Sequence, residues 1–409
     1  MLETAPHPAS RPRVVVVANA RIPGERAQSI QTVRTAAAFA RRGCEVDLVH
    51  PKRNIRRTIA GADGDPLAFY GVTDPVHLHA LPVVDWIERA PRRLQYVPAR
   101  IEEWTFARAA ARWIRGAGGA LVHCREIEVG ARLAAARDAR YLFEAHSIPG
   151  SRLRRAWLSR AVAGALAVVA ISRGLADDLA AACGIPRERV AVVPDAFEAR
   201  EYAAPLDRAE ARRRLGIPQD AQVVVYAGHL FPWKGSDVLV RASAQAPTIT
   251  VRLVGGLPED VERTRRLAKE RGASGCEVVG HRPPSEIPIH LAAADVVAVP
   301  NSGREPISAR HTSPLKLFEA MAAGRAIVAS DLPSLREVVE HDRTAWLVPP
   351  DDPDALAAGL RRLVADPERC ERLGAAAREK AGAFTYDARA ARLLELAGIP
   401  ASAGCGSRS

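Results

Sequence analysis

A loop and helix start near the C-terminal third of the chain carry residues that suit binding of an anion. The stretch Thr312-Ser-Pro-Leu-Lys-Leu-Phe-Glu-Ala-Met-Ala-Ala-Gly324 follows an apolar strand that ends at Pro300 and a polar loop. The first N–H groups and the positive dipole end of the predicted helix attract negative charge. Lys316 and Glu319 lie three residues apart, so a cation for phosphate and a carboxylate for hydroxyl groups share one turn. The stretch therefore suits a nucleotide-sugar, and an ordinary capped helix with an exposed lysine is the alternative.

Lysine is rare among the basic residues, and two of the five lysines lie in loops that follow predicted strands. Lys234 belongs to the run Gly228-His-Leu-Phe-Pro-Trp-Lys-Gly235, and Lys316 belongs to the stretch above. A third loop, Val254-Gly255-Gly256, also follows a strand. Glycine permits close approach of backbone to a ligand, and a compact ammonium suits a point contact with phosphate. Because ligands bind at the carboxyl ends of parallel strands, the three loops together predict a diphosphate site.

Length and charge limit the classes of protein to which this chain can belong. Its 409 residues suffice for about two domains. The net charge is +11, and residues 89–160 hold 15 arginines against six acids. Such a segment attracts anionic lipid, a phosphorylated acceptor or nucleic acid, while a solvated arginine-rich surface is the alternative. No signature of a nucleic-acid-binding module accompanies the charge, so nucleic acid is not an expected partner.

Membrane contact is expected to be peripheral at most. The helical segment 101–114, with Trp104, Phe106 and Trp113, fits an interfacial amphipathic helix, but packing on its own domain is the favoured interpretation. The longest uncharged apolar run, 161–171, is too short to span a bilayer, and no signal pattern opens the chain. Six cysteines without CxxC spacing predict reduced thiols. We expect a cytoplasmic protein, with any membrane contact at the inner face of the cytoplasmic membrane.

Apolar runs alternate with helical patterns along the chain, which is typical of doubly wound α/β domains. The predicted strands are 14–19, 45–50, 76–81, 120–124, 141–145, 165–171, 190–193, 222–227, 249–254, 276–279, 295–299, 326–329 and 346–348. We expect two facing Rossmann-like domains with a ligand cleft between them. The expected order is a disordered tail (1–12), the N-terminal acceptor-side domain (13–198), a linker (199–208), the donor-nucleotide domain (209–383), a C-terminal helix packing back on the first domain (384–398) and a disordered tail (399–409).

These loops resemble the motifs of a known family, the retaining GT-B glycosyltransferases of family 4. The resemblance includes the run Val328-Ala-Ser-Asp-Leu-Pro-Ser-Leu-Arg-Glu-Val338 and covers roughly residues 13 to 390. Matching stretches in the first half are Arg21-Ile-Pro-Gly, Ile30-Gln31, Phe143-Glu-Ala-His-Ser147, Ala170-Ile-Ser172 and Val193-Pro-Asp-Ala196. The resemblance implies a GT-B fold, transfer of a sugar from a nucleoside-diphosphate sugar with retention, and neither a bound metal nor another cofactor.

The resemblance also implies roles for individual residues. Lys234 matches a phosphate-contacting lysine, Glu319 the second acid of a Glu-x7-Glu motif that holds ribose or sugar hydroxyls, and His146 a histidine facing the cleft near the transferred sugar. These three are the expected catalytic residues. Arg21 and Gly24 match a loop that reaches the donor or acceptor. The expected donor-binding residues are Gly228, His229, Lys234, Gly255, Gly256, His311, Thr312, Ser313, Pro314, Leu315, Lys316 and Glu319.

Two positions depart from the family pattern. His311 stands where the first acid of Glu-x7-Glu is expected, and His229 stands where an arginine beside the phosphates is usual; Glu305 is a candidate to replace the missing acid. We predict a glycosyltransferase acting on a hydroxyl of a glycan or lipid-linked acceptor, in cell-envelope or exopolysaccharide synthesis. The alternatives are a nucleotide-sugar epimerase or hydrolase of the same fold and, because of His311, a catalytically silent nucleotide-sugar-binding protein. A nicotinamide oxidoreductase is disfavoured because the first turn lacks GxGxxG.

Overall fold

The computed structural model describes residues 11–53, 64–137, 139–204 and 206–400. These residues form two compact units. Apart from the gaps just given, the first unit comprises 11–169, 179–193 and 387–400, and the second comprises 170–178 and 194–386. Most of the two tails predicted at 1–12 and 399–409 lies outside the described residues.

The first unit is built on a parallel sheet of seven strands. Its strands are β1 (Arg13–Val17), β2 (Glu45–Lys52), β3 (Val76–Pro82), β4 (Leu121–Cys124), β5 (Arg140–Ala145), β6 (Ala167–Ala170) and β7 (Val190–Val192). The intervening helices are α1 (Ala27–Arg41), α2 (Tyr96–Gly116), α3 (Ile127–Ala136) and α4 (Arg152–Gly164). A fifth helix, α5 (Arg173–Cys183), belongs to the second unit up to Asp178 and to the first unit from Leu179. All seven strands were predicted, with ends that differ by at most two residues.

The strand order in this sheet is β3-β2-β1-β4-β5-β6-β7. The chain therefore winds outward from β1 in one direction and then returns to β4 to wind in the other. Val14, Val15, Val16 and Val17 of β1 are fully buried, as expected of a central parallel strand covered on both faces. The carboxyl ends of β1 and β4 lie side by side at the point where the winding direction reverses, which is where sheets of this kind bind ligands.

The second unit is built on a sheet of six parallel strands. Its strands are β8 (Gln222–Ala227), β9 (Ile249–Val254), β10 (Cys276–Gly280), β11 (Val296–Val299), β12 (Ala326–Ser330) and β13 (Trp346–Val348). Its helices are α6 (Ala199–Tyr202), α7 (Arg208–Leu215), α8 (Ser236–Ala244), α9 (Pro258–Glu270), α10 (Ile287–Ala292), α11 (Leu315–Ala322), α12 (Pro333–Arg336), α13 (Pro353–Val364) and α14 (Pro367–Ala381). Three of the six strands have the predicted bounds.

The strand order in the second sheet is β10-β9-β8-β11-β12-β13, so its winding reverses between β8 and β11. Side chains of β8 alternate between two buried layers, because successive residues of a strand point to opposite faces. Val223 and Val225 lie in the layer that includes Phe318 of α11, whereas Val224 and Tyr226 lie in the layer on the other face. The loops that follow β8 and β11 are thereby held at one edge of a well-packed sheet.

Local sequence signals set the ends of several helices in the second unit. The Asp207 side chain accepts hydrogen bonds from two N–H groups at the start of α7, and Gly216 ends that helix in the left-handed conformation. Asp352 caps α13 in the same way, directly before a proline that suits the first turn. Gly324, which was predicted to close the helix after Lys316, follows α11 with a φ of 66°.

Two local predictions need correction. The loop predicted from Asn301 to His311 contains a helical turn at Ile307–His311, which makes residue 311 part of an ordered turn. The four-residue helix α6 lies in the segment predicted as a linker, where Glu198 accepts a hydrogen bond from the N–H of Arg200. In both segments, local hydrogen bonds order a polar stretch that has no apolar periodicity to announce a helix.

The last helix, α15 (Tyr386–Leu396), contributes to the first unit. Asp387 accepts a hydrogen bond of 2.7 Å from Arg41 of α1, and Arg389 donates one of 2.6 Å to Glu144 of β5. Within the part of the chain that the structure describes, no helix is both long enough and apolar enough to cross a bilayer.

Candidate functional site

Two lysine side chains meet at the reversal point of the second sheet. Lys316 lies in the first turn of α11, and its Nζ is 3.4 Å from the carbonyl oxygen of Lys234 in the loop after β8. The Lys316 ammonium also lies 4.5 Å from the ring centre of Tyr226, and the Lys234 ammonium lies 4.4 Å from that of Trp233. Aromatic faces attract cations without neutralising them. The two predicted phosphate-site lysines are therefore neighbours.

The surroundings of these lysines disfavour their charged forms. Burial lowers the pKa of Lys234 to about 8, against a smaller opposite effect of Asp195. Burial, together with the charge of Lys234, holds the pKa of Lys316 well below its usual range. Among the residues that the structure describes, no carboxylate forms an ion pair with either ammonium. The missing negative charge is what a bound diphosphate would supply.

Glycines bring backbone close together around the lysine pair. A Cβ at Gly235 would lie 1.6 Å from the carbonyl oxygen of Pro300, and one at Gly255 would lie 2.4 Å from that of Gly228. Both glycines, and Gly228 itself, have positive φ angles, of 79°, 118° and 144°. A Cβ at Gly228 would lie 3.9 Å from the Lys316 side chain. These glycines let the loops after β8, β9 and β11 converge where side chains would block them.

Two polar contacts hold the segment that leads into α11. The Ser313 hydroxyl accepts a hydrogen bond of 2.9 Å from the N–H of Asp195. His311 Nε2 lies 2.7 Å from Asp178 Oδ2, and His311 is buried. The histidine at the position of the family's first acid is therefore paired with a carboxylate from α5. Glu305, the suggested substitute for that acid, is exposed on the preceding loop.

The other predicted donor-binding residues lie in the same loops. His229 stacks on Phe231 with ring centres 5.1 Å apart, and its carbonyl oxygen accepts a hydrogen bond from Tyr226. Gly256 follows Gly255 with a positive φ of 95°. Thr312, Pro314 and Leu315 lie in the approach to α11, which begins at Leu315, and Glu319 is half-buried one turn into that helix.

In the first unit, His146 belongs to a cluster of buried charges at the carboxyl end of β5. Its Nε2 is 2.6 Å from Glu144 Oε1, and its Nδ1 is 3.2 Å from an Arg125 Nη2. In the tautomer that satisfies both contacts, Nε2 donates to Glu144 and Nδ1 accepts from Arg125. Burial and the Arg125 charge lower the pKa of His146 to about 4, so the ring is neutral at pH 7.

Glu144 is the centre of this cluster and is completely buried. Its second oxygen, Oε2, lies 2.9 Å from His123 Nε2 and accepts a hydrogen bond of 2.6 Å from Arg389. Although burial alone would raise it, the pKa of Glu144 is held well below its usual range by Arg389 and by its two histidine partners. The cluster supplies its own counter-charges and fixes the orientation of the His146 ring.

The loop with Arg21 and Gly24 lies after β1. The N–H of Gly24 donates a hydrogen bond of 2.6 Å to the Tyr70 hydroxyl, which in turn donates one of 3.0 Å to the Gly24 carbonyl. A Cβ at Gly24 would lie 2.4 Å from the carbonyl oxygen of Arg21, so the tight turn requires glycine. The structure therefore places this loop at the ligand-binding edge of the first sheet.

Several polar residues that belong to one of these sites were not predicted. Glu144 had a visible signal, because it lies near the end of β5, two residues before His146 in the loop that follows. Arg389 is 245 residues from Glu144, and Asp178 is 133 residues from His311, so no local pattern could pair them. At the reversal point of the first sheet, Glu126 accepts a hydrogen bond from the N–H of Asn19, and burial raises the pKa of Glu126.

No cluster of three or more His, Cys, Asp or Glu side chains with the arrangement of a metal site occurs among the described residues. The lysine pair and the helix start of α11 are the cationic groups that meet at the reversal point of the second sheet. They match the chemistry of an anionic ligand.

Two family sequence models match this chain. The model described as "Glycosyl transferases group 1" matches residues 207–380, and the one described as "Glycosyltransferase Family 4" matches residues 28–199. A D-inositol 3-phosphate glycosyltransferase of Xylanimonas cellulosilytica is 36% identical over 248 residues, which are 58% of this chain and 57% of that protein. The chain thus spans little more than half the length of this curated relative.

Solved structures resemble the whole described fold. Sucrose-phosphate synthase from Thermosynechococcus elongatus matches 94% of this chain and 98% of its own, with a TM-score of 0.75 and 23% identity. The Anabaena protein HepE, solved in complex with UDP-glucose, matches 94% of this chain and 98% of its own, with a TM-score of 0.70 and 19% identity. At such identities the likeness establishes the GT-B fold, as predicted, and nothing finer.

Proposed function

The chain belongs to the group 1, family 4 glycosyl transferases, and on that premise we propose that it transfers a sugar from a nucleoside-diphosphate sugar to an acceptor hydroxyl with retention of configuration. One observation carries the proposal. Lys234 and Lys316 are desolvated neighbours that form no ion pair with a carboxylate among the described residues, and they lie beside glycines that admit a ligand. The structure of HepE with UDP-glucose supports a nucleotide-sugar as the ligand.

The reaction requires a leaving diphosphate to be stabilised. The acceptor oxygen bonds to the anomeric carbon, the bond from that carbon to the diphosphate oxygen breaks, and the acceptor's proton passes to the leaving phosphate. Negative charge grows on the diphosphate as its bond breaks, so the Lys234 and Lys316 ammonium groups and the N–H groups at the start of α11 contribute most in the transition state. Glu319, on the same helix, holds ribose or sugar hydroxyls.

His146 serves to position the transferred sugar in this scheme and is not a general base. A general base near neutral pH needs a pKa near 7, whereas the pKa of His146 is lowered to about 4. Its two ring nitrogens are also occupied by Glu144 and Arg125. The role of His146 is therefore to contact the sugar in a fixed orientation, and the proton goes to the phosphate.

The acceptor is proposed to be a glycan or a lipid-linked sugar of envelope or exopolysaccharide synthesis. Polyhydroxylated acceptors suit the polar groups at the reversal point of the first sheet, where Asn19, Arg53 and Glu102 share hydrogen bonds. The five cysteines among the described residues are free thiols, which supports a reducing, cytoplasmic setting. Lysines supply the positive charge that a metal supplies in other transferases, so the proposed reaction is metal-independent.

Thermal unfolding across UDP-, GDP-, ADP- and TDP-sugars tests the donor site. A matching donor at 100 times its Kd adds about 2.7 kcal/mol of stability. This is roughly 5–10 °C for a unit of this size. Lys316→Ala and Glu319→Ala should abolish the shift, while Lys269→Ala, on the exposed side of α9, should keep it.

Turnover separates the candidate functions. Release of nucleoside diphosphate only with acceptor indicates transfer. Release without acceptor indicates a hydrolase, and a thermal shift without turnover indicates a binding protein. A folded protein that no donor stabilises would refute the proposal.

A further inference from the structure

Large apolar side chains are exposed together in one part of the first unit. Of eight such side chains among the described residues, five lie between residues 86 and 104, and a sixth lies at the start of α4. We call these six the apolar patch: Trp86 (49% exposed), Leu94 (62%), Tyr96 (67%), Val97 (60%), Trp104 (47%) and Leu153 (62%). Single exposed apolar side chains are common, but a contiguous group indicates a contact surface.

Two contacts connect the segments that carry the patch. The N–H of Val84 donates a hydrogen bond of 3.2 Å to Thr105 of α2, which holds the segment before α2 against that helix. Arg154 of α4, next to Leu153, lies 3.8 Å from Glu103 of α2. The start of α4 therefore adjoins the outward side of α2.

Helix α2 has a buried face and an exposed basic face. Phe106, Ala110 and Ile114 are buried against the first unit, as favoured from the sequence. The opposite face follows the helical spacing of three and four residues; it is formed by exposed Val97, Trp104, Arg108, Arg112 and Arg115 and by half-buried Arg100. The helix thus packs on its own unit through one face and leaves a stripe of arginine and apolar side chains outside.

The charge around the patch is positive. Arg89, Arg93, Arg108, Arg112 and Arg115 are exposed, whereas no Asp or Glu is exposed among the residues of 86–116 whose burial is described. Arg108 and Arg132 lie over the Trp104 ring, at 5.9 and 5.3 Å from its centre. Arginine stacked on tryptophan keeps its charge at the surface beside an apolar ring, an arrangement suited to the boundary between lipid headgroups and acyl chains.

We propose that the apolar patch and its arginines dock the protein on an anionic lipid bilayer. Leucine, valine and tryptophan can enter the headgroup region while the arginines contact anionic headgroups. Nucleic acid would satisfy the arginines but leave Leu94, Val97 and Leu153 without an apolar partner. A second copy of this chain would bring two positively charged surfaces together. The inference concerns this surface alone and does not depend on transferase activity.

Co-sedimentation of the full chain with vesicles tests this docking. Binding is expected to phosphatidylglycerol-containing vesicles, and not to phosphatidylcholine alone, and it should weaken as salt rises. Leu94→Ser/Val97→Ser and, separately, Arg108→Glu/Arg112→Glu should each weaken binding by about tenfold or more. Because these side chains are exposed, both variants should unfold at the temperature of the unsubstituted protein.

Matched controls separate the patch from surface changes in general. Leu166→Ser, at an exposed site outside the patch (48% exposed), and Arg213→Glu/Arg214→Glu, on α7 of the second unit, should bind vesicles as the unsubstituted protein does. The proposal is overturned if the chain ignores anionic vesicles at low salt, or if the patch variants bind as the controls do. It is also overturned if the patch variants change only the oligomeric state in size-exclusion chromatography. Donor-induced thermal shifts in the patch variants should stay unchanged, so failure of the donor site is seen separately.

Discussion

The two polar sites, one in each unit, differ in how their charges are compensated. In the second unit, the Lys234 and Lys316 ammonium groups lie close together, and no carboxylate among the described residues pairs with either. In the first unit, Glu144 is surrounded by His123, His146 and Arg389, each within 2.9 Å. The lysines have only the partial compensation that Asp195 gives to Lys234, whereas the Glu144 cluster contains its own counter-charges.

This difference indicates different tasks. Keeping uncompensated cations in a desolvated place opposes folding, so such a site is retained for a ligand that brings the opposite charge. An internally paired cluster gains little from a charged ligand, because its hydrogen-bonding groups already have partners. Its contribution is to hold one ring in one orientation. We therefore infer that the lysine pair binds donor phosphate and that the Glu144 cluster positions His146.

The largest expected effect is that of Lys316→Met. Donor turnover should fall by about 10²–10³-fold in kcat/KM, because a charge that stabilises the leaving diphosphate is lost. The free protein should instead become more stable, since a buried cation is replaced by an apolar side chain of similar length. Steady-state kinetics measures the first change, and differential scanning calorimetry of the free protein measures the second.

Lys269→Met is the matched control, because Lys269 is exposed on α9. It should change neither turnover nor stability. If Lys316→Met lowered the stability of the free protein, Lys316 would have an internal stabilising partner, and the contrast between the two sites would not hold.

Glu144→Gln should have the next largest effect. It should change the stability of the free protein rather than its affinity for the donor. Removing the charge leaves Arg389 buried beside a neutral side chain, which should lower the free energy of unfolding by about 3–5 kcal/mol at pH 7. The depressed pKa of Glu144 makes this stabilisation fully present above its ordinary value of 4.5, and it is lost as pH falls through the folded-state pKa. The difference between the two proteins should therefore shrink in acid.

The comparison for Glu144→Gln is Glu45→Gln, since Glu45 is an exposed carboxylate of the same unit. It should cost little at any pH. Donor-induced thermal stabilisation should persist in Glu144→Gln, because donor phosphate is bound by the second unit. Loss of donor binding in a folded Glu144→Gln protein would contradict the separation of tasks.

The pH dependence of donor binding sharpens the same contrast. Because burial lowers the pKa of Lys234 to about 8, donor affinity should fall as pH rises above about 8, where that lysine loses its proton. Near and above pH 8 binding should be accompanied by proton uptake, since a diphosphate raises the lowered pKa of Lys234. Isothermal titration in buffers of different ionisation enthalpy measures that uptake.

The free energy of unfolding should change with pH in the opposite direction to donor affinity. Between about pH 8 and 10.5, the unfolded chain keeps a proton on Lys234 that the folded chain has lost, so this residue makes stability rise with pH in that window. Lys234→Met should remove that part of the slope. A donor affinity that is constant from pH 7 to pH 9.5 would mean that Lys234 does not contact the phosphates.

The fold was predictable because each strand has its own local signal. Val14 to Val17 form an apolar run that requires cover on both faces, and Gly228, Gly235 and Gly255 mark loops that need positive φ angles. Such signals lie within a few residues of the feature they predict. They give the two sheets and the loops around the lysine pair from the sequence alone.

The ion pairs that were not predicted depend on contacts between residues that are distant in the sequence. Arg389 reaches Glu144 across 245 residues, and Asp178 reaches His311 across 133. Both Arg389 and Asp178 lie on helices, and neither has a sequence pattern that differs from that of solvated charged residues on a helix. The rarity of lysine, which accounts for five of the 58 Lys and Arg residues, helped at Lys316, but no comparable rarity distinguishes one arginine among many. Charge compensation is therefore a property of the folded chain.

Asp178→Asn should give the smallest effect and tests whether His311 acts as part of a pair. The Asp178 side chain is 36% exposed, so loss of its hydrogen bond to His311 should lower kcat by no more than about tenfold.

His311→Glu restores the acid of the family pattern but places two carboxylates together beside the donor. The single variant should therefore be impaired, and Asp178→Asn/His311→Glu should recover activity relative to it. Asp177→Asn, one residue away and exposed, is the control for changes in α5. Full activity of His311→Glu alone would show that Asp178 and His311 are independent, and the departure at residue 311 would then be a neutral substitution rather than a paired replacement.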